Sequence, residues 1–254
     1  MPIAHLADGL ALYYETHGPA AAAPVVMLHG ATTTFRSTFR RQLPAFGAVH
    51  RVIGVDLRGH GQSNNPADAL DLRQLADDIA ALLDHLEIDK ASLLGFSGGA
   101  SVSLFFAVRH LARLDALVMV SNNMELDRAR AELDFWDVER VRTEEPKWFA
   151  AMEQLHNSPV EKLLDWWAQE DTVRPDWRPE QIAHVDVPTL VMGGDRDPII
   201  PLDQTLKLYE ALPNAELAIL PGVGHGIPSR RPEVFNRLVL DFLHVHSVLS
   251  AFER

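Results

Sequence analysis

Ser97 lies in the string Gly95-Phe96-Ser97-Gly98-Gly99, after the apolar run Ala91-Ser92-Leu93-Leu94 and before a helix-like stretch at residues 100–107. A serine hydroxyl is a weak nucleophile unless a base reaches it and donors await the oxyanion that its attack creates. A strand-to-helix turn meets both needs by projecting Oγ beyond the sheet edge. Its crowding tolerates only very small side chains two residues before and after the serine. Gly95 and Gly99 fill those places. The string by itself also fits an ordinary turn, but the strand and helix that bracket it favour a nucleophile.

A nucleophilic serine needs a histidine, and the histidine needs an acid that sets its tautomer. Of the 12 histidines, His225 stands out because it occupies the glycine-rich loop Pro221-Gly222-Val223-Gly224-His225-Gly226 after the last expected strand. Open α/β sheets collect their ligands at the carboxyl ends of strands. His5, His17, His85, His110, His244 and His246 fall in hairpin or helix contexts and read as surface or packing residues. For the acid, Gly193-Gly194-Asp195-Arg196-Asp197-Pro198 offers two aspartates. Asp197 is favoured: it precedes a proline, which selects extended or turn backbone, whereas Asp195 has Arg196 to pair with or a turn to cap. The loop after Val120, Ser121-Asn122-Asn123, carries no carboxylate.

The oxyanion donors expected are the backbone N–H of Gly98 and that of Ala31, in the loop His29-Gly30-Ala31-Thr32, where Gly30 permits a sharp turn. His29 reads as a buried hydrogen-bonding support. The loop Asp56-Leu57-Arg58-Gly59-His60-Gly61-Gln62-Ser63 reads as structural, with a charge pair and a histidine beside the active edge. Asp56 and His60 lack the third ligand a metal site would need, so no metal is expected.

The elements that must position these residues follow from hydrophobic patterning. Residues 3–6 and 10–15 flank Asp8-Gly9 as a hairpin. Short apolar runs without alternation, at residues 25–28, 52–55, 91–94, 116–120, 189–192 and 216–220, read as buried parallel strands. Residues 71–86 show apolar positions at three- and four-residue spacing behind Asp71, a helix with its cap. Alternating strands and helices imply right-handed crossovers and a sheet covered on both faces. The charged stretch at residues 122–185 breaks the rhythm and reads as a helical cap, leaving residues 1–121 and 186–254 as the core. All five tryptophans, Trp136, Trp148, Trp166, Trp167 and Trp177, lie inside it. Such rings either glue the cap helices together or roof an apolar substrate. Thr32 and Phe96, with Trp136, Trp148, Trp166 and Trp167, are the candidates for lining that substrate.

Composition excludes several function classes. A formal charge of −12 without basic clusters argues against nucleic acid and anionic membranes as partners. With no cysteine, disulfides and thiolate chemistry are impossible. No run approaches the roughly 18 apolar residues of a membrane span, and the amino terminus has no basic-then-apolar leader pattern, so a cytoplasmic protein is expected.

Together these residues resemble the α/β-hydrolase superfamily of serine esterases and lipase-like hydrolases. The resemblance spans essentially the whole chain, from the amino-terminal hairpin through the His29-Gly30 loop, the Ser97 elbow and Asp197 to His225. It implies the α/β-hydrolase fold, a mostly parallel eight-stranded sheet with helices on both faces and an inserted helical cap, and cofactor-free hydrolysis through an acyl-enzyme. Ser97 departs from the elbow aspartate of haloalkane dehalogenases and epoxide hydrolases. Ala31-Thr32 departs from the Gly-Pro-Gly loops of proline iminopeptidases and carbon-carbon hydrolases. Cofactor-free perhydrolases share Gly-Phe-Ser but usually carry a bulky aromatic where this chain has Ala31. The leading expectation is hydrolysis of a small or medium, apolar or aromatic carboxylic ester or lactone by Ser97, Asp197 and His225. The alternatives are perhydrolysis, amide or carbon-carbon cleavage by the same triad, or a small-molecule receptor on a hydrolase fold.

Overall fold

The apolar runs form eight strands: β1 (Ile3–His5), β2 (Ala11–His17), β3 (Pro24–Leu28), β4 (Arg51–Val55), β5 (Ala91–Phe96), β6 (Leu114–Val120), β7 (Thr189–Gly194) and β8 (Ala215–Leu220). They are hydrogen-bonded in the order β1-β2-β4-β3-β5-β6-β7-β8. The β1–β2 and β2–β4 pairs are antiparallel and the other five are parallel. The computed structural model describes residues 2–125, 135–173 and 176–252.

Successive residues of a strand point to opposite faces, and each central strand here feeds two apolar layers. Val26, Leu28, Ile53, Val55, Leu93, Leu117 and Met119 pack in one layer with helices Leu72–His85 and Gly98–Arg109. Val25, Met27, Val52, Leu94, Val118 and Val120 pack in the other with Phe35, Phe39 and Phe46, and with Phe235, Val239 and Phe242 of helix Pro232–Phe252. Burial of both faces explains why these runs lack alternation. Asp71 caps the helix Leu72–His85 by accepting the Arg73 N–H at 2.8 Å.

Three expectations need correction. The hairpin turn is wider than Asp8-Gly9: Ala7–Gly9 forms a 3₁₀ turn that leaves Leu6 and Leu10 outside the strands, although Asp8 and Gly9 both take positive φ. β8 is an edge strand, and it exposes Glu216 and Leu217 instead of being buried. The loop after β4 holds no internal charge pair. Arg58 reaches Asp78 of helix Leu72–His85 at 2.8 and 2.7 Å and Asp8 at 3.0 Å. Asp56 instead accepts the amides of Phe35 and Gln62.

Between β6 and β7 the described residues form helices Val138–Glu144, Pro146–Leu155, Val160–Val173 and Pro179–Ile182, of which the first three belong to a cap over the carboxyl ends of the central strands. Val141, Phe149, Met152, Val160 and Leu164 give it a small core of its own. Among the described residues no helix is long and apolar enough to cross a membrane.

Candidate active site

β5 runs straight into helix Gly98–Arg109, and the single residue between them is Ser97, with φ 52° and ψ −120°. A positive φ is strained for a non-glycine residue, and it persists only where surroundings over-determine it. Here the Ser97 N–H is held by the Val120 carbonyl at 2.8 Å, and the Ser97 carbonyl accepts from Ala100 and Ser101. The glycines two residues either side are sterically required. A Cβ on Gly95 would run into the Gly99 carbonyl oxygen, and one on Gly99 into the Leu28 carbonyl oxygen.

The loops after β7 and β8 bring the other two groups to this turn. Ser97 Oγ–H lies 2.9 Å from His225 Nε2, and His225 Nδ1–H donates to Asp197 Oδ2 at 2.9 Å. The second oxygen of Asp197 accepts the amides of Ile199 at 2.8 Å and Ile200 at 3.0 Å. Burial by itself would raise the Asp197 pKa. The His225 hydrogen bond and charge and these two amides outweigh it and hold the carboxyl below its usual value. Asp197 is thus a carboxylate acceptor, which places the proton of neutral His225 on Nδ1 and leaves Nε2 free to take one from Ser97. The Asp197 side chain is 1% exposed and that of His225 17%, so the acid is sealed while the base is reachable. Asp195 faces away, accepting the Gly222 N–H at 2.6 Å and lying 3.8 Å from Arg196. Phe96 packs on the His225 ring with centroids 5.1 Å apart.

The two residues expected to supply oxyanion amides are close neighbours. A Cβ built on Gly98 would lie 3.0 Å from the Ala31 nitrogen, and no acceptor among the described residues takes either N–H. Thr32 takes φ 59° and closes its own turn by donating Oγ1–H to the Ala31 carbonyl at 2.6 Å. His29 supports this loop from below: its Nδ1–H donates to the Gly30 carbonyl at 2.8 Å, and Nε2 accepts the Leu57 N–H at 3.0 Å. Complete burial pushes the His29 pKa down to about 3.

The cap tryptophans divide by environment. The Trp167 indole presses on Gly98, where a Cβ would fall 2.7 Å from Cη2, and its Nε1–H donates to His60 Nε2 at 3.0 Å. Trp136 stacks on Trp167 with centroids 6.0 Å apart and donates to Asp171 at 2.6 Å. Trp167 thus lies directly against the residue after Ser97, and Trp136 packs behind it. Trp166 does not join them: it packs on Gly59 and borders a cavity of about 290 Å³ with Asn64, Asn65 and Lys162 at the seam of cap and core. Trp148 is 36% exposed on helix Pro146–Leu155, and Trp177 packs on Phe105.

Two supporting residues have no recognisable sequence signal. Ser121, with φ 53° at the end of β6, donates Oγ–H to the His225 carbonyl at 3.2 Å. His156, at the end of helix Pro146–Leu155, lies among the loops at the carboxyl ends of β3 and β4.

An eight-stranded sheet with a serine elbow after β5, an acid after β7 and a histidine after β8 defines the α/β-hydrolase class. Residues 25–238 match the model of the "Alpha/beta hydrolase family", and the chain belongs to that family. It is similar to 3-oxoadipate enol-lactonase 2 of Acinetobacter baylyi, at 28% identity covering 94% of this chain and 97% of the relative. It is also similar to the AB hydrolase superfamily protein YisY of Bacillus subtilis, at 29% identity covering 86% and 91%. A thermophilic esterase from Thermogutta terrifontis superposes with TM-score 0.83 at 25% identity, covering 97% of this chain and 99% of that one.

Proposed function

We propose that this protein hydrolyses a small or medium, apolar or aromatic carboxylic ester or lactone through an acyl-enzyme on Ser97. The observation that carries the reading is the continuous chain Ser97 Oγ–His225 Nε2, His225 Nδ1–Asp197 Oδ2, with both links at 2.9 Å. Ser97 Oγ attacks the carbonyl carbon while His225 Nε2 takes its proton, and the Ala31 and Gly98 amides hold the oxyanion. Collapse of the tetrahedral intermediate expels the alkoxide, which leaves as the alcohol with the proton from His225. Water then attacks the acyl carbon, giving its proton to His225. The acid departs and Ser97 recovers its proton. Asp197 orients the imidazole and stabilises the imidazolium.

Trp136 and Trp167 with Phe96 make an aromatic surround for an apolar acyl or alcohol group. The likeness to an enol-lactonase and to an esterase supports an ester or lactone as the bond cleaved. On this reading residues 122–185 act as the cap, of which residues 126–134 and 174–175 lie outside the described residues. The substrate is a small molecule, and the reaction needs no cofactor.

The test is hydrolysis of p-nitrophenyl esters from acetate to decanoate by the unaltered protein and by Ser97→Ala. Ser97→Ala is expected to lose at least about a thousandfold in kcat, and the chain-length optimum then sizes the pocket. Turnover that persists in Ser97→Ala refutes the mechanism.

A further inference from the structure

The cap touches the oxyanion loop at one side chain that the reaction itself does not use. His156 is buried, and its ring bonds in two directions: Nδ1 accepts the Gly61 N–H at 2.8 Å, and Nε2 lies 3.1 Å from the Thr32 carbonyl oxygen. A backbone N–H can only donate and a carbonyl can only accept, so the two contacts together fix the tautomer. The proton sits on Nε2 and is given to Thr32. The next residue strengthens the anchor, because the Asn157 N–H donates to the Gly61 carbonyl at 2.8 Å. A protonated ring would aim a second donor at the Gly61 N–H, and burial pushes the His156 pKa down, in keeping with a neutral ring.

The backbone held by this bond is an unusual one. Thr32 has φ 59°, in the left-handed region where a β-branched residue is a genuine outlier, and such a conformation must be enforced by its surroundings. On one side the Thr32 hydroxyl closes on the Ala31 carbonyl. On the other, the Thr33 amide and hydroxyl both bond the Gly30 carbonyl, at 3.2 and 2.8 Å. The Thr32 carbonyl is gripped from outside the loop, by His156. The Ala31 N–H stands immediately upstream of this turn.

We propose that His156 is a positioning residue for the oxyanion loop: the bond from its Nε2–H to the Thr32 carbonyl keeps Thr32 left-handed and thereby aims the Ala31 amide at the reacting carbonyl. It follows that the donor geometry is completed only when the cap is docked. The inference rests on the serine-hydrolase reading above, in which Ala31 supplies one of the two oxyanion donors.

The two ring bonds separate by substitution. In His156→Asn the amide oxygen takes roughly the place of Nδ1, so the Gly61 contact survives and the donor to Thr32 is lost. In His156→Gln the amide nitrogen takes roughly the place of Nε2, so the donor to Thr32 survives. Both variants are assayed beside the unaltered protein and Ser97→Ala for kcat and KM on the best p-nitrophenyl ester. A second readout is the rate of covalent inactivation by a p-nitrophenyl phosphonate, whose adduct places an anionic oxygen between the same amides. The melting midpoint is recorded for each variant.

His156→Asn is expected to lower both kcat and the inactivation rate about tenfold or more, with KM within about twofold, since displaced oxyanion donors act on the transition state. His156→Gln is expected to recover to within about threefold of the unaltered protein. Serine-dependent turnover that is indifferent to His156→Asn overturns the positioning role and leaves the reaction standing. So does an equal loss in both variants that tracks the fall in melting midpoint. Turnover that survives Ser97→Ala overturns the serine reading and this inference with it.

Discussion

Three buried histidines are expected to cost this protein stability on mild acidification. His29, His60 and His156 are in consecutive ring contact, with centroids 5.0 and 5.7 Å apart. Burial lowers the pKa of each, His29 to about 3 and His60 well below the usual histidine value, and their mutual repulsion lowers it further for His29 and His60. In the unfolded chain each titrates near 6.5. Between those values the unfolded state binds the extra proton, so stability is complete above pH 6.5 and falls as pH drops.

For one group with an unfolded pKa of 6.5 that stays neutral when folded, lowering pH from 7.5 to 5.5 costs about 1.4 kcal/mol. His29 and His60 together therefore cost about 3 kcal/mol, and His156 and His50, also lowered by burial, act in the same direction. Asp56, raised by burial, opposes them as acid nears its own range. With a urea m-value of about 3 kcal/mol per molar, the midpoint should fall by about 1 M between the two pH values. Tryptophan fluorescence reads it directly, since Trp167 donates to His60. His60→Gln keeps an acceptor for Trp167 and cannot titrate, so it should recover about 1.4 kcal/mol of that loss. A midpoint that is unchanged or higher at pH 5.5 refutes the neutral-histidine account.

The two aspartates of the loop after β7 should separate cleanly. Asp197→Asn removes the acceptor that sets the His225 tautomer and is expected to lower kcat on the order of 10³–10⁴-fold, whereas Asp195→Asn, which weakens the Gly222 and Arg196 contacts away from His225, should keep kcat within about threefold; steady-state kinetics on one ester decides. Gly98→Ala forces a methyl to within 2.7 Å of the Trp167 ring and 3.0 Å of the Ala31 nitrogen, and overpacking of this kind costs about 1–3 kcal/mol. A melting midpoint lowered by about 4–8 °C would match a cost of roughly 2 kcal/mol. The same substitution beside Trp167→Phe, where the smaller ring makes room, should cost less in a double-mutant cycle.

Much of the candidate site's geometry was legible in the chain because it is local. The Ser97 turn needs small residues at fixed offsets, the central parallel strands are apolar because both their faces are covered, and His225 and Asp197 each follow a strand by a few residues. Such patterns are written at spacings shorter than one element, where backbone sterics and burial act directly on residue type. Other features were settled only by contacts between distant segments. Nothing near Arg58 in sequence predicts Asp78 as its partner, and nothing in Leu155-His156-Asn157 marks a histidine that meets Thr32 from 124 positions away. The cap tryptophans were equally ambiguous one by one: Trp166 and Trp167 are adjacent, yet successive helix positions point about 100° apart, so one borders the seam cavity and the other roofs Gly98. A residue's type limits the chemistry it can do. Which partner it does it with depends on how helices cross and loops close in three dimensions, and those choices are made by the packing of the whole chain.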